Sequence, residues 1–326
     1  MSFGLTAFGH FLPPAVAVPG TNRGYRFYHR ADPAVGVTDL AVAAAENALR
    51  ESGTDPGEID LLLLAMADIP EYLYWDAAAA AQSRLGAHRA ETIHMSQACG
   101  GGVAAFDILA GKFATHPEYR TALLLTAHRV CEQYWDRRRS AAAIASDGAA
   151  AAVVRRGHGS CRWLATETLT DGRYADFLRM PAGGTAAPFG DGTGGDARVP
   201  PLVERIDSFF GGSARATLEF AELSSRRNRE VLTRACERAG IDAGGVAAVI
   251  YLHDTANAFA DLAAVLGVPL ERTNHDLAAQ HGHLGCADQL FSLERHVAEG
   301  RLRPGDVAAL MSMGSGMHWI CTLIEI

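Results

Sequence analysis

The chain has 326 residues, 48% of them hydrophobic and 20% charged, with 34 glycines, 13 prolines and a formal net charge of −8. That length houses two ordinary domains or one large duplicated one around a sizeable core. The apolar fraction excludes a disordered chain, and the negative balance argues against nucleic acid, whose phosphates need a positive surface.

In chain order, an Ala-rich amphipathic helix over 40–52 stops at Gly53, and a tight turn through Asp55 and Gly57 leads into the apolar strand 61–67. A second Ala-rich helix ends at Leu85-Gly86. A strand-like stretch and the turn Ser96-Gln-Ala-Cys99-Gly-Gly-Gly102 follow, opening a helix through Phe106, Leu109 and Phe113. The strand 147–154 closes this half. The grammar then repeats: helix 228–239, stop at Gly240, turn through Asp242 and Gly244, strand 247–252, and a helix ending Leu266-Gly267. The turn Gln280-His-Gly-His283-Leu-Gly285 opens a helix through Leu290, Leu293 and Val297, and 313–326 closes the second half. Two βα-rich halves, 1–158 and 159–326, are expected to pack as parallel-rich sheets covered by helices, because runs such as 61–64 are apolar on both faces. Under this duplication Cys99 and His283 stand at equivalent helix N-termini, and a pseudo-twofold axis brings them together.

No uncharged apolar run approaches the roughly 20 residues that span a bilayer, and the first ten residues lack a secretory signal, so a cytoplasmic protein without a membrane partner is expected. The six cysteines have no CxxC pair, which predicts free thiols and no metal site. The single lysine, Lys112, has no Schiff-base setting. Among the cysteines, Cys99 alone begins a Gly-rich helix start. There a thiolate is favoured by the helix dipole, and free N–H groups can form an oxyanion hole. The three glycines after it are read as letting a substrate carbonyl approach the backbone.

The motifs Ser96-Gln-Ala-Cys99-Gly-Gly-Gly, Ser146-Asp-Gly-Ala, Asp254-Thr-Ala-Asn257, Gly282-His283-Leu-Gly, Arg303-Pro-Gly-Asp306 and Gly314-Ser-Gly-Met-His-Trp319 resemble, in order and spacing, the landmarks of the ketoacyl synthase III family of the thiolase superfamily. The resemblance runs from about Gly36 to the end. It implies an α/β, thiolase-like five-layered αβαβα fold from two pseudo-symmetric halves, a homodimer, an acyl-Cys99 intermediate and an oxyanion hole from the backbone N–H groups of Cys99 and Ser315. It further implies no tightly bound cofactor: the donor is an acyl-phosphopantetheine on acyl carrier protein, or acyl-coenzyme A.

The departures from the family pattern carry the chemistry. Condensing members use Cys, His and Asn; here Asp254 stands where the His belongs and His283 where the Asn belongs. A decarboxylative condensation needs two neutral donors for a thioester enolate, which a carboxylate would repel. An Asp–His pair suits general-base catalysis instead, with Asp254 orienting His283 and His283 activating Cys99 and then an acceptor. The chain thus resembles the Cys-Asp-His branch, which moves acyl groups to a small-molecule hydroxyl or amine, or to a carrier thiol, in bacterial natural-product pathways. Two alternatives remain: a condensing enzyme with His253 and His283 as donors, or a non-catalytic heterodimer partner.

The family's adenine-stacking Trp is missing from the short stretch 19–33, and its basic residue after the Asn is replaced at Phe259, which favours a carrier-protein donor. Arg139 matches the Arg flanking the adenine, and Arg137, Arg138 and Arg139 are a candidate surface for an acidic carrier. His253, Asn257, Tyr74 and Arg139 are candidate substrate contacts, Tyr74 by reaching a partner's acyl pocket. The Gly-rich passage 182–195 is read as a mobile lid or acceptor loop.

Overall fold

The computed structural model describes residues 2–20, 23–189 and 198–326; the lid-like passage 182–195 lies outside them from residue 190. The described elements are β1 (Phe3–Phe11), β2 (Ala15–Ala17), β3 (Phe27–His29), α1 (Val37–Ser52), β4 (Leu61–Met66), α2 (Ala77–Leu85), β5 (Glu91–Ser96), α3 (Gly101–Thr115), β6 (Thr121–His128) and β7 (Gly148–Arg156). They continue as β8 (Arg162–Thr170), α4 (Leu202–Phe210), α5 (Ala214–Ala239), β9 (Val246–Ile250), α6 (Ala256–Leu266), α7 (His275–His281), α8 (Asp288–Ala298), β10 (Val307–Gly314) and β11 (His318–Glu325).

The strands run in the order β5-β4-β6-β7-β1-β8-β11-β10-β9. Strands β1 and β8 share only the Gly4–Arg162 pairing, so the ladder is two sheets hinged at one point. The second sheet repeats the first: β1–β7 and β8–β11 are antiparallel, as are β7–β6 and β11–β10, whereas β6–β4 and β10–β9 are parallel. Where β5 pairs beside β4, the second half keeps only the parallel bridge Val249–Thr273.

The local grammar repeats with the topology. Helices α1, α2, α5 and α6 each stop at a left-handed glycine: Gly53, Gly86, Gly240 and Gly267. Asp55 caps the amide of Gly57 and Asp242 that of Gly244, giving the same turn twice. Helices α1 and α2 bury their Ala and Leu faces on one side of the first sheet, and α5 and α6 cover the far side of the second. Helices α3 and α8 lie between the sheets in a core built from both halves, including Phe106, Phe113, Leu290 and Phe291. The five layers are therefore αβαβα, the thiolase-like architecture. Strand β4 touches helices on both faces and is buried throughout, which is why its six residues are all apolar. The described residues contain no helix long and apolar enough to cross a membrane.

Candidate active site

Strand β5 ends at Ser96, and the chain turns sharply into α3 through Ala98, a non-glycine residue at φ 47°, placing Cys99 in the single 3-10 turn that precedes the helix. Left-handed backbone at such a residue costs free energy and is held by its surroundings. Here β10 and its turn do the holding: Ser312 donates to the Cys99 carbonyl at 2.8 Å, and Gly314 packs so closely that a Cβ there would stand 2.7 Å from the Gln97 carbonyl.

The start of α8 faces this turn. His283 is fixed by a parallel bridge to Ala145, donating its amide to Ile144 O at 2.8 Å, and its carbonyl accepts from the Ser146 amide at 2.8 Å. Its Nε2 lies 3.0 Å from Cys99 Sγ, so the two residues predicted at equivalent helix N-termini do meet. On the other side of the ring, Nδ1 donates to Asp288 Oδ2 at 2.5 Å. Asp288, fully buried, also accepts the amides of His253 and Leu284, each at 2.7 Å.

The carboxylate that orients His283 is thus Asp288, not Asp254. Asp254 bends back onto the Thr255 amide at 2.7 Å and lines a cavity of about 130 Å³ with Arg23, Tyr25 and His275. The sequence marks Asp288 only by its place five residues after a turn histidine, since an acid in a helix's first turn is otherwise the ordinary complement of the helix dipole. His253 is corrected too. Its Nδ1 donates to Gly282 O at 2.7 Å and its Nε2 accepts from Ser292 Oγ at 2.8 Å, leaving neither nitrogen for a substrate.

The electrostatics follow from these partners. Burial alone would lower the pKa of His283, but the Asp288 carboxylate and the Cys99 sulfur raise it well above the ordinary histidine value. Burial disfavours charge on Asp288, yet His253 and His283 hold its pKa below the usual one. Burial pushes the Asp254 carboxyl up, against the Thr255 amide and the His283 charge, which stabilise its anion. The thiols of Cys161, Cys236, Cys286 and Cys321 are all pushed up by burial, which keeps them protonated and inert, whereas Cys99 is half-exposed.

The remaining candidates scatter. Ser315 is half-buried on the β10–β11 turn, its hydroxyl donating to Leu178 O at 2.7 Å. Asn257 is exposed in the first turn of α6, and Arg139 is exposed as well. Tyr74 is fully exposed at φ 54°. Arg137 leaves the proposed carrier surface: it is buried in a two-pronged ion pair with Asp147, at 2.9 and 2.8 Å, and also bonds Glu132. It clamps the start of β7 to the preceding segment.

A cysteine, histidine and aspartate in series at the meeting of two duplicated halves define a thiolase-fold acyl-transferring enzyme. A family model described as 3-oxoacyl-[acyl-carrier-protein] synthase III matches residues 93–172, and the corresponding C-terminal model matches 236–326, together just over half the chain. The chain belongs to this family, within the thiolase superfamily. It is 28% identical over 307 residues to the β-ketoacyl-[acyl-carrier-protein] synthase III of Thermosynechococcus vestitus, covering 93% of this chain and 87% of that one. A Streptomyces coelicolor counterpart is 29% identical over 284 residues, covering 86% and 80%. Among solved structures, ChlB3, described as an acyltransferase, superposes with TM-score 0.88 at 24% identity, covering 100% and 98% of the two chains. The Aquifex aeolicus 3-oxoacyl-[acyl-carrier-protein] synthase III superposes with TM-score 0.79 at 23% identity, covering 99% and 100%.

Proposed function

We propose that this protein is an acyltransferase that loads an acyl group from an acyl carrier protein or coenzyme A onto Cys99 and passes it to a hydroxyl, amine or carrier thiol, as a step in natural-product biosynthesis. The observation that carries this reading is the chain Cys99 Sγ–His283 Nε2, 3.0 Å, and His283 Nδ1–Asp288 Oδ2, 2.5 Å. With His283 held protonated by Asp288, Cys99 attacks the donor carbonyl as the thiolate. The oxyanion is met by the N–H groups of Cys99 and Ser315. The C–S bond to pantetheine breaks, and the departing thiolate takes the His283 proton. Once the sulfur is acylated, its negative charge no longer supports the imidazolium. His283, left neutral by that proton transfer, accepts the proton of the acceptor hydroxyl or amine as that atom attacks the acyl-Cys99 carbonyl. The collapse returns the Cys99 thiolate beside protonated His283, so the proton count closes.

Condensation fits these residues less well. The ring nitrogens of His253 are spent on Gly282 and Ser292, and the position of the family's second neutral donor carries the Asp254 carboxyl. The raised pKa of Asp254 is the one feature favouring condensation, since a protonated carboxyl can donate to an enolate. ChlB3 is described as an acyltransferase, but at its level of identity the likeness speaks to the fold, and the case for transfer rests on the residues above. Carrier-protein delivery is supported by the exposed Arg138 and Arg139, and pairing of two copies by β5 at the open end of its sheet with Tyr72, Leu73 and Tyr74 exposed nearby. The test is intact-mass measurement of Cys99 acylation by carrier-bound and coenzyme A-bound donors, then a chase with hydroxyl and amine acceptors. Transfer without decarboxylation is expected; a β-ketoacyl product formed with a malonyl carrier would overturn the reading.

A further inference from the structure

Three neighbouring parallel strands, β5, β4 and β6, end at one level, Met66 pairing with both Ser96 and Ala127. Chemistry-bearing residues leave all three ends: Cys99 after β5, Asp68 after β4 and His128 as the last residue of β6. Ligands of open parallel sheets sit just beyond such C-terminal strand ends. His128 is 8% exposed, and its ring is clamped by the turn after His283, where a Cβ on Gly285 would stand 2.6 Å from the His128 Cγ. The same turn is pinned to the strand ends by the Cys286 thiol, which donates to Ala65 O at 3.2 Å and Ala127 O at 3.4 Å.

His128 Nδ1 lies 2.9 Å from the Ser146 carbonyl oxygen, which can only accept, so the ring proton sits on Nδ1 and Nε2 presents a lone pair. No described residue bonds that nitrogen. Burial keeps the ring neutral, with Asp68 opposing and His283 reinforcing the shift. The ring centre is 6.1 Å from that of His283, whose Nε2 holds Cys99 Sγ.

We propose that His128 is a specificity-determining residue for the acyl group: its Nε2 accepts a hydrogen bond from a hydroxyl or amino substituent one or two carbons from the thioester carbonyl. This rests on the acyl-Cys99 reading. A carbonyl carbon bonded to Sγ starts beside His283, and an imidazole centred 6.1 Å from that ring is within reach of a polar atom on the second or third acyl carbon. A plain acyl chain strands that lone pair away from water, and an unpaired polar group in a desolvated site is what discriminates most sharply between substrates.

The probes are butyryl-, 2-hydroxybutyryl- and 3-hydroxybutyryl-pantetheine, with the rate of Cys99 acylation followed by intact mass. At least one hydroxylated donor is expected to acylate the wild-type protein about tenfold or more faster than butyryl-pantetheine. In His128→Phe that ratio falls to within about twofold, and in His128→Gln, which keeps an acceptor atom, part of it returns. A wild-type ratio near one overturns the inference whether or not the variants fold, as does an unchanged ratio in a His128→Phe protein that melts like wild type. Acylation of Cys99 by all three donors at one rate removes this inference alone; acylation by none removes the acyl-cysteine reading beneath it as well.

Discussion

On the Asp288 carboxylate converge the His283 Nδ1–H, the His253 amide and the Leu284 amide, all inside a fully buried pocket. Replacing it by Asn keeps the shape but removes the charge that raises the His283 pKa, and it presents either an amide N–H or a weaker acceptor to Nδ1. Asp288→Asn is therefore expected to slow Cys99 acylation roughly 10²- to 10⁴-fold. The pH profile supplies the sign. Acylation needs protonated His283 and fails as pH rises through its raised pKa, so losing Asp288 moves the alkaline limb to lower pH; a rate loss with an unmoved limb would show that Asp288 acts only through packing. Asp254→Asn touches no bond to His283 and is expected to cost acylation less than about tenfold, since its influence is a through-space charge interaction alone. Side-by-side single-turnover rates of the two variants decide which acid orients the base. At this scale the sequence reveals Cys99 and His283, because small-residue turns and glycines announce both. It conceals Asp288, whose partner is identified only once the turn 283–288 curls back on itself.

The start of α3 shows how elements rather than single side chains set the nucleophile. The glycines after Cys99, read from sequence as room for a substrate carbonyl, are used for packing: a Cβ on Gly102 would lie 2.1 Å from the Cys286 carbonyl, and one on Gly100 would lie 2.7 Å from Ile320 Cδ1. Gly102→Ala thus drives α3 against the backbone of the turn that carries Asp288, and neither side can yield as a flexible side chain would. The expected cost is about 1–3 kcal/mol of stability together with loss of acylation, since the displaced segment holds His283. Gly111, in the same helix, has nothing within 4 Å of where a Cβ would stand, so Gly111→Ala is expected to stabilise by about 0.5–1 kcal/mol through helix propensity and leave the site alone. Denaturant midpoints of the two variants, measured with acylation rates, check both signs. Helix stops and caps such as Gly53, Gly240, Asp55 and Asp242 are legible in the sequence because each depends on its own few residues. The close approach of Gly102 to Cys286 is not, because it joins positions in opposite halves of the chain.

Over the whole molecule the duplication is readable because two sheets of the same strand order need the same helix, stop, turn and strand in the same sequence. That the sheets hinge at Gly4 and Arg162, and enclose α3 and α8 together, depends on long-range packing that no local pattern encodes. The fold also buries histidines that stay neutral. Burial lowers the pKa of His29, His128, His253, His281 and His296, that of His281 to about 3 with help from His253 and His29. For each of these the unfolded chain binds a proton below about pH 6.5 that the folded one refuses, so stability falls as pH drops from there and keeps falling until the folded pKa is passed. For His281 the window runs from about 6.5 down to about 3, at most about 1.4 kcal/mol per pH unit. His283 has the opposite sign: its raised pKa adds stability that is fully present below about pH 6.5 and lost as pH rises through the folded value. With His318 also lowered by burial, six histidines stand against the raised carboxyls of Asp68 and Asp254, which take up a proton on folding, and the balance is a net loss on acidification, beginning well above the pH at which Asp171, lowered to about 2 by its bond with Arg173, is protonated. The urea midpoint is therefore expected to drop steeply between about pH 6.5 and 5. His281→Phe, which keeps a ring stacked on His29 and against Phe291 but cannot titrate, should flatten that slope by close to one proton. If the variant loses stability with pH as steeply as the wild type, His281 is not among the groups that make the fold acid-sensitive.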